Sequence, residues 1–318
     1  MAGGVDFKGV AEPPRGSALR EKGGGVPVPY DLIEVTRRFA PLVRFHPEEA
    51  YFPSSVEWFL KRVRLTHESS PMHAKRPVVI TPVLAKGEID SVKLVSQSVG
   101  NDYSGGVSKG TFFLDIPGDS EHTRTCLGHL ASAKCYVHVQ PASPGKWHLA
   151  YLFFYPFNGA IAIDKKITHE GDWEHIKVEV DKSGSNIIRV FFSAHAGGKW
   201  HVRYSTAHGN TDGFRCTEGT HPIIYSARHS HASYPKSGKQ HRPTAILPDD
   251  YCGNGIEWRT WGALEHLGDK ADPPVGQEWL KFNGRWGEHR GSIYGDIVEG
   301  PTGPAFKKWW KDNGFDAV

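Results

Sequence analysis

The sequence lacks long apolar runs, a large excess of either charge and closely spaced cysteines. No stretch approaches the roughly 18 consecutive apolar residues of a membrane-spanning helix, so we expect no transmembrane segment. The net charge is only +3, and the basic residues are interspersed with acids, which argues against nucleic-acid binding. The four cysteines form no Cys-x-x-Cys pair, so a cysteine zinc site is not expected.

The beginning of the chain also lacks the apolar core of a secretory signal. We therefore predict a cytoplasmic protein with reduced cysteines. Residues 1–28 are rich in glycine, proline and charge, which predicts a flexible N-terminal arm. No linker or repeat divides the remainder, so we expect one domain over residues 29–318.

The abundant residues favour β-structure. The chain contains 36 glycines, 22 prolines and 10 tryptophans, a composition typical of strands joined by many turns. Short helices are predicted over residues 31–39 and from Ser54 or Ser55 onward. Strand patterns cover residues 147–155, 172–180, 186–194, 199–205 and 221–228. The predicted fold is mainly β, a β-sandwich core with long loops and a few short peripheral helices.

One strand begins with an unusual concentration of acids and histidines, in the segment THEGDWEHIKVEV at residues 168–180. Strand alternation places Asp172 and Glu174 on the same face as the apolar residues that follow them. Buried carboxylates need protons, cationic partners or a metal ion. Gly171 allows a bend that brings His169 over the same face. A solvent-exposed strand end with ordinary salt bridges is the alternative.

Further histidines follow other predicted strands. His195 comes after residues 186–194, and His229 and His231 come after residues 221–228. If these strands are neighbours, His169, His195 and His231 converge with the two carboxylates. Such a mixed set suits a divalent ion, with oxygen ligands favouring Mg, Ca or Mn and imidazole favouring Zn. Each histidine taken alone is compatible with a structural, hydrogen-bonded role.

Several motifs in order resemble the vacuolar protein sorting protein 62-like family. They are FAPLVRFHPEEAYFPSSVEWF, YPFNG, HEGDWEH, SAHAGG, HSHASYP, GRWGE and GPTGP. The resemblance extends over most of the chain after the N-terminal arm. The family's description as sorting proteins implies little about chemistry.

A more distant resemblance is to the necrosis- and ethylene-inducing-peptide-like proteins. Their Gly-His-Arg-His-Asp-Trp-Glu heptapeptide is similar to residues 168–174, although Gly171 replaces its second histidine. The resemblance implies a β-sandwich with a divalent cation held by His169, Asp172 and Glu174. It also implies His231 as a further ligand, and Asn158 or Asp164 in place of an aspartate ligand.

Three functions remain open from the sequence, and the first is favoured because histidines are concentrated around one predicted site and no export signal is seen. The first is a metal-dependent hydrolase or lyase, in which the ion activates water or polarises the substrate. Its acid or base would be His195, His229 or His175, and its substrate pocket would be lined by Tyr155, Trp173 and Tyr234. The second is a metal-assisted binding module for a small molecule, sugar or polar lipid head group. The third is a vacuolar sorting or structural protein.

Overall fold

The structure is a computed structural model. It describes residues 31–68, 80–99, 111–142, 145–159, 168–195, 197–242, 248–288, 300–307 and 310. The predicted N-terminal arm, and Asp164 with it, lie outside these described residues. No helix in the described ranges has the length and apolar character needed to cross a membrane.

Four short α-helices lie at the periphery of the described structure. They are α1 (Asp31–Phe39), α2 (Val56–Leu60), α3 (Ser91–Ser96) and α4 (His122–Cys126). The two helix predictions are confirmed. Helix α2 begins after Ser55, whose side chain accepts a hydrogen bond from the Trp58 N–H at 3.1 Å. This contact satisfies one of the otherwise unpaired donors at the helix start.

Strands form most of the remaining regular structure. They are β1 (Leu42–Arg44), β2 (Arg64–Glu68), β3 (Ile80–Leu84), β4 (Thr111–Asp115), β5 (Cys135–Pro141), β6 (Lys146–Asn158), β7 (His169–Asp181), β8 (Ile187–Ala194), β9 (Gly197–His201), β10 (Cys216–Thr217), β11 (His221–Ser226), β12 (Ser233–Tyr234), β13 (Gly238–Gln240), β14 (Asp250–Cys252), β15 (Glu257–Arg259) and β16 (Leu264–His266).

A six-stranded sheet in the order β16-β5-β6-β7-β8-β9 is the centre of the fold. Its two longest strands, β6 and β7, pair antiparallel along almost their whole length. Alternate residues of β6 enter two different hydrophobic clusters, so this strand is buried on both faces. That burial explains why its sequence, WHLAYLFFY, is apolar almost throughout instead of alternating.

One face of the central sheet packs on a second sheet. The second sheet has the order β10-β11-β1-β15, and β12 pairs with β11 at the side. Ile176, Val178 and Val180 of β7 share their cluster with Val43 of β1 and Ile224 of β11. The prediction of a mainly β fold with a sandwich core is therefore confirmed, as is the core-facing phase of β7.

The other face is covered by elements that the sequence patterns did not reveal as a layer. Helix α2, the three-stranded sheet β3-β2-β4 and a C-terminal tryptophan-rich segment contribute to a second cluster. Trp173 of β7 lies there, with ring centroids 5.6 Å from Trp279 and 5.3 Å from Trp286. The central sheet is therefore the middle layer of three.

Candidate functional site

The beginning of β7 meets the loop between β11 and β12 through a buried hydrogen-bond cluster. Nδ1 of His231 lies 2.9 Å from Oδ2 of Asp172, and Nδ2 of Asn158 donates to the same oxygen at 3.0 Å. Asn158 is the pairing partner of His169 in the β6–β7 register. The structure thus brings together Asp172, His231 and Asn158, three of the five predicted metal ligands.

His231 is fully buried in this cluster. Its ring stacks on Tyr155 with centroids 3.8 Å apart and planes 6° from parallel. Its Nε2 has no hydrogen-bond partner among the described residues and lies 4.0 Å from Oε1 of Glu49, whose side chain is also fully buried. The imidazole therefore lies between two carboxylates, and the second of them, Glu49, is not apparent from the sequence patterns.

The pKa values of the two predicted carboxylate ligands are shifted in opposite directions. Burial by itself raises the pKa of Asp172, but the hydrogen bond and charge of His231 outweigh it and lower that pKa. Burial and then the charge of Asp172 raise the pKa of Glu174 well above its usual range. Oε2 of Glu174 accepts a hydrogen bond from the Ser193 hydroxyl at 2.9 Å, which links β7 to β8.

His169 turns toward the backbone at the bend. Its Nδ1 lies 2.8 Å from the carbonyl oxygen of Gly171, which has φ +62°. The predicted bend at Gly171 is therefore present. However, this hydrogen bond joins His169 to its own strand and not directly to Asp172 or His231.

A second polar cluster adjoins the first and is organised by Asp250, a residue that no sequence pattern singles out. Its carboxylate accepts hydrogen bonds from the Ser230 and Tyr234 hydroxyls at 2.7 Å and from Arg242 at 2.5 Å. Nε2 of His195 lies 2.6 Å from Oδ2 of the same carboxylate. Burial raises the pKa of Asp250, but His195 and Arg242 outweigh it and hold that pKa well below its usual range.

The three histidines at the strand ends share an unusual backbone conformation. His195, His229 and His231 have φ values of +56°, +65° and +58°. Side-chain-bearing residues adopt this left-handed region at an energetic cost, and such strain is concentrated at functional sites. The backbone N–H of His229 donates to Oε2 of Glu49 at 2.7 Å, which stabilises this loop. The convergence of these histidines marks the strand ends as the candidate site.

Two predicted site residues lie on the wrong face of β7. His175 stacks near Phe191, and burial lowers its pKa well below the usual range. Trp173 belongs to the opposite core cluster. Because alternate strand residues face opposite sides, neither residue can reach a ligand beside Asp172. The predictions of His175 as an acid or base and of Trp173 as a pocket wall are thus incompatible with the structure.

The other two predicted pocket aromatics lie at the clusters but have supporting positions. Tyr155 is buried beneath His231, so it supports that ring and offers no open surface. Tyr234 is partly buried and its hydroxyl is bound to Asp250. Neither residue forms the wall of a substrate pocket in the way that the sequence analysis expected.

The donor chemistry at the first cluster fits a hard divalent cation only in part. Asp172 and Glu174 each accept hydrogen bonds through one carboxylate oxygen. No hydrogen bond from the described residues reaches the other oxygen of either carboxylate. Carboxylate oxygens are the ligands that Ca²⁺ and Mg²⁺ prefer. However, no three of the predicted histidine, aspartate and glutamate ligands have ligand atoms that all lie within 4.8 Å of one another in the described structure.

Such a compact set does occur elsewhere in the described residues, formed by Asp115, Glu170 and Glu288. Oε2 of Glu170 accepts hydrogen bonds from the N–H groups of Ile116 at 3.0 Å and Glu288 at 3.3 Å. Burial first, and then the charges of Asp115 and Glu288, raise the pKa of Glu170 to about 8. The cluster therefore holds a proton near neutral pH. Of its three members, only Glu170 lies in the acid- and histidine-rich segment at residues 168–180, directly after His169.

Comparison with known proteins identifies relatives along most of the chain. The family described as vacuolar protein sorting-associated protein 62 matches residues 25–247. The curated Saccharomyces cerevisiae protein of that name is 26% identical, with 92% of this chain and 70% of the relative covered. A second yeast protein, putative vacuolar protein sorting-associated protein TDA6, is 24% identical, with 88% and 68% covered.

The chain also aligns with solved structures of necrosis-inducing proteins. One is Necrosis and Ethylene inducing Protein 2 from the causal agent of cocoa's Witches Broom disease, 16% identical with a TM-score of 0.34, covering 73% of this chain and 72% of that one. Another is NLPPya in complex with glucosamine, 14% identical with a TM-score of 0.34, covering 73% and 71%. These TM-scores are too low to support a functional conclusion.

The family match overturns the leading functional prediction. The matching family and both curated relatives are named for vacuolar protein sorting, and none of these names describes an enzyme. The prediction of a metal-dependent hydrolase or lyase is therefore wrong, and the alternative of a sorting or structural protein fits better. With the family matched over residues 25–247, the chain belongs to the vacuolar protein sorting-associated protein 62 family.

Proposed function

We propose that this chain acts in vacuolar protein sorting as a non-catalytic protein, and that its strand-end histidine–carboxylate clusters form a ligand-binding element. The observation that carries the proposal is that two left-handed histidines contact buried acids, His231 at Asp172 and His195 at Asp250. The third left-handed histidine, His229, binds Glu49 through its backbone N–H. Strained polar residues are retained where the surrounding contacts and a function both require them.

The arrangement favours recognition over catalysis. The carboxylates hold the imidazoles through hydrogen bonds, and the ring of His231 is buried and has no access to a substrate. The side chain of His195 is 32% exposed, so it is the part of the site that a ligand can reach. We expect a small polar ligand such as a sugar or a lipid head group. Cytoplasmic location remains a prediction.

The test of this proposal compares two buried histidine–acid pairs in cells. His231→Gln removes the ring beside Asp172, whereas His148→Gln alters the separate pair in which His148 Nε2 lies 2.9 Å from Glu179. Each variant is expressed in yeast lacking both curated relatives, and mis-sorting of a vacuolar luminal reporter to the medium is measured. We expect His231→Gln to lose at least half of the rescue and His148→Gln to retain it.

The interpretation depends on the folded state of each variant. Circular dichroism and thermal unfolding of the purified proteins show whether His231→Gln folds. Full rescue by folded His231→Gln contradicts the proposed role of the cluster. Failure of the wild-type chain to rescue contradicts the proposed role in sorting.

We also propose that a divalent ion binds at the first cluster through Asp172 and Glu174, with His169 as a further ligand. Support comes from the oxygen of each carboxylate that no described residue engages. The ion would neutralise the two adjacent buried acids. Its role would be to stabilise the strand ends or to bind hydroxyl groups of a ligand.

Metal content tests this second proposal directly. Purified wild-type protein, Asp172→Asn and Asp249→Asn are equilibrated with Mg²⁺, Ca²⁺, Mn²⁺ or Zn²⁺, desalted, and measured by elemental mass spectrometry. Asp249 is a suitable control because, in the described part of the chain, its carboxylate pairs only with Lys239, His241 and Arg242 near the surface. We expect about one bound ion in wild type and Asp249→Asn, and a loss of at least fivefold in Asp172→Asn. Equal metal content in all three proteins excludes the site.

A further inference from the structure

The four hydrogen bonds to Asp250 determine which nitrogen of His195 carries its proton. Oδ1 accepts from Ser230 and Arg242, and Oδ2 accepts from Tyr234 and lies 2.6 Å from Nε2 of His195. A carboxylate has about four acceptor positions, so this one is saturated. Because an ionised carboxylate can only accept, the His195 bond requires a proton on Nε2.

When His195 is neutral, its Nδ1 carries no proton. In a neutral imidazole, one nitrogen donates and the other accepts. Since Nε2 donates to Asp250, Nδ1 carries the lone pair and is the acceptor. The His195 side chain is 32% exposed, while the Asp250 side chain is fully buried. The ring is therefore fixed at one edge by the protein interior, while part of it stays accessible.

The contacts that fix this ring come from separate loops. His195 follows β8, Ser230 and Tyr234 lie at the β11–β12 hairpin, and Arg242 follows β13. Asp250 begins β14 and joins all of them. This concentration of partners around one buried acid offsets the cost of the left-handed backbone at His195. If the cluster around Asp250 only stabilised the loops, it would not require a partly exposed imidazole among the partners of this acid.

We propose that His195 contacts the ligand of the strand-end site through Nδ1, and that Asp250 is the positioning residue that fixes the tautomer and orientation of the ring. The group recognised is a hydrogen-bond donor, such as a ligand hydroxyl or ammonium group. This inference rests on the proposed function for the ligand, whereas the tautomer itself is independent of that function.

Asp250→Asn gives a specific expectation for the tautomer. The variant side chain keeps one acceptor oxygen and gains an NH₂ donor. Arg242 can only donate, so the oxygen is expected to face Arg242 and Ser230. The NH₂ group then faces His195, whose Nε2 must accept. The proton moves to Nδ1, and the ligand-facing acceptor is lost.

The measurement is two-bond ¹H–¹⁵N correlation of histidine rings in the full-length protein, labelled with ¹⁵N-histidine. The His195 signals are assigned by their loss in His195→Gln, and a pH series reaches the neutral ring. We expect the Nε2–H tautomer in wild type and in Asp249→Asn, and the Nδ1–H tautomer in Asp250→Asn. An Nδ1–H tautomer in wild type overturns the inference even if Asp250→Asn does not fold.

Sorting rescue then separates this inference from the proposed function. With the reporter described above, His195→Gln, Asp250→Asn and the double variant should lose rescue to a similar degree, because both residues act through one contact. Asp249→Asn should retain rescue. Full rescue by His195→Gln, together with its loss in His231→Gln, rejects the ligand contact and leaves the proposed function in place. If the variants show the expected tautomers but none of them changes sorting, the proposed function is rejected. The conclusion that Asp250 positions the His195 ring then still holds.

Discussion

Replacing Gly171 with alanine is expected to destabilise the fold by more than about 3 kcal/mol. A left-handed backbone costs a residue with a side chain roughly 1–2 kcal/mol, and Gly171 has φ +62°. In addition, the new Cβ would lie 1.8 Å from the carbonyl oxygen of Trp286. That atom belongs to backbone, so relief of the clash requires the Trp286 segment to move away from β7.

The matched control for this prediction is Gly209→Ala. Gly209 has φ +70°, close to that of Gly171, but an added Cβ would meet no atom within 4 Å. Urea unfolding followed by tryptophan fluorescence measures both variants. The free energy of unfolding of Gly209→Ala should fall only by the cost of the left-handed backbone, roughly 1–2 kcal/mol. Equal losses in the two variants would show that the close approach to Trp286 is unimportant.

Replacing Glu170 with glutamine is expected to stabilise the protein at pH 8.5 by about 2–4 kcal/mol. The pKa of Glu170 is raised from 4.5 to about 8, first by burial and then by Asp115 and Glu288. Each unit of pKa difference corresponds to about 1.4 kcal/mol. Glutamine is neutral at every pH, and its oxygen can still accept the N–H of Ile116.

The sign of the pH dependence follows from the raised pKa. The folded state binds the proton of Glu170 more tightly than the unfolded state does. Its contribution to stability is complete below pH 4.5 and is lost as the pH rises to about 8. Wild-type protein should therefore lose stability across this range through Glu170, and Glu170→Gln should lose less.

The measurement is the free energy of unfolding in urea at several pH values between 4.5 and 8.5. Glu88→Gln is the control, because Glu88 is exposed and the one hydrogen bond that its carboxylate accepts from the described residues comes from the Ala85 N–H at 2.8 Å. The curve for Glu88→Gln should parallel that of wild type. A parallel curve for Glu170→Gln would mean that the acid cluster titrates normally.

The phase of β7 and the identity of its polar beginning could be predicted from local sequence. A strand repeats every two residues, so the apolar residues Ile176 to Val180 indicate which side Asp172 and Glu174 face. The bend at Gly171 was visible for the same reason, since glycine accepts a left-handed backbone. The pattern over residues 199–205 predicted a longer strand than the structure has. Strand β9 ends at His201, and isolated bridges at Arg203 and Ser205 follow it.

The partners of the site histidines could not be predicted in this way. Glu49 lies 180 residues before His229, and Asp250 lies 55 residues after His195. Asp250 lies in none of the quoted motifs, and the motif that contains Glu49 also contains Glu48 and Glu57, so the sequence singles out neither acid. Their selection depends on the order of the strands in the two sheets and on the paths of the loops between them.

The sequence by itself determined the β-rich fold, the core-facing side of β7 and the family, because these follow from short periodic patterns and ordered motifs. The tertiary structure decided which polar residues meet. The layer over the second face of the central sheet buried Trp173 and left His175 away from the site. On the other side, the strand order and loops brought His195 to Asp250 and His231 to Asp172. Buried polar groups take whichever partners the packed layers bring within hydrogen-bond distance, and local sequence does not encode those distances.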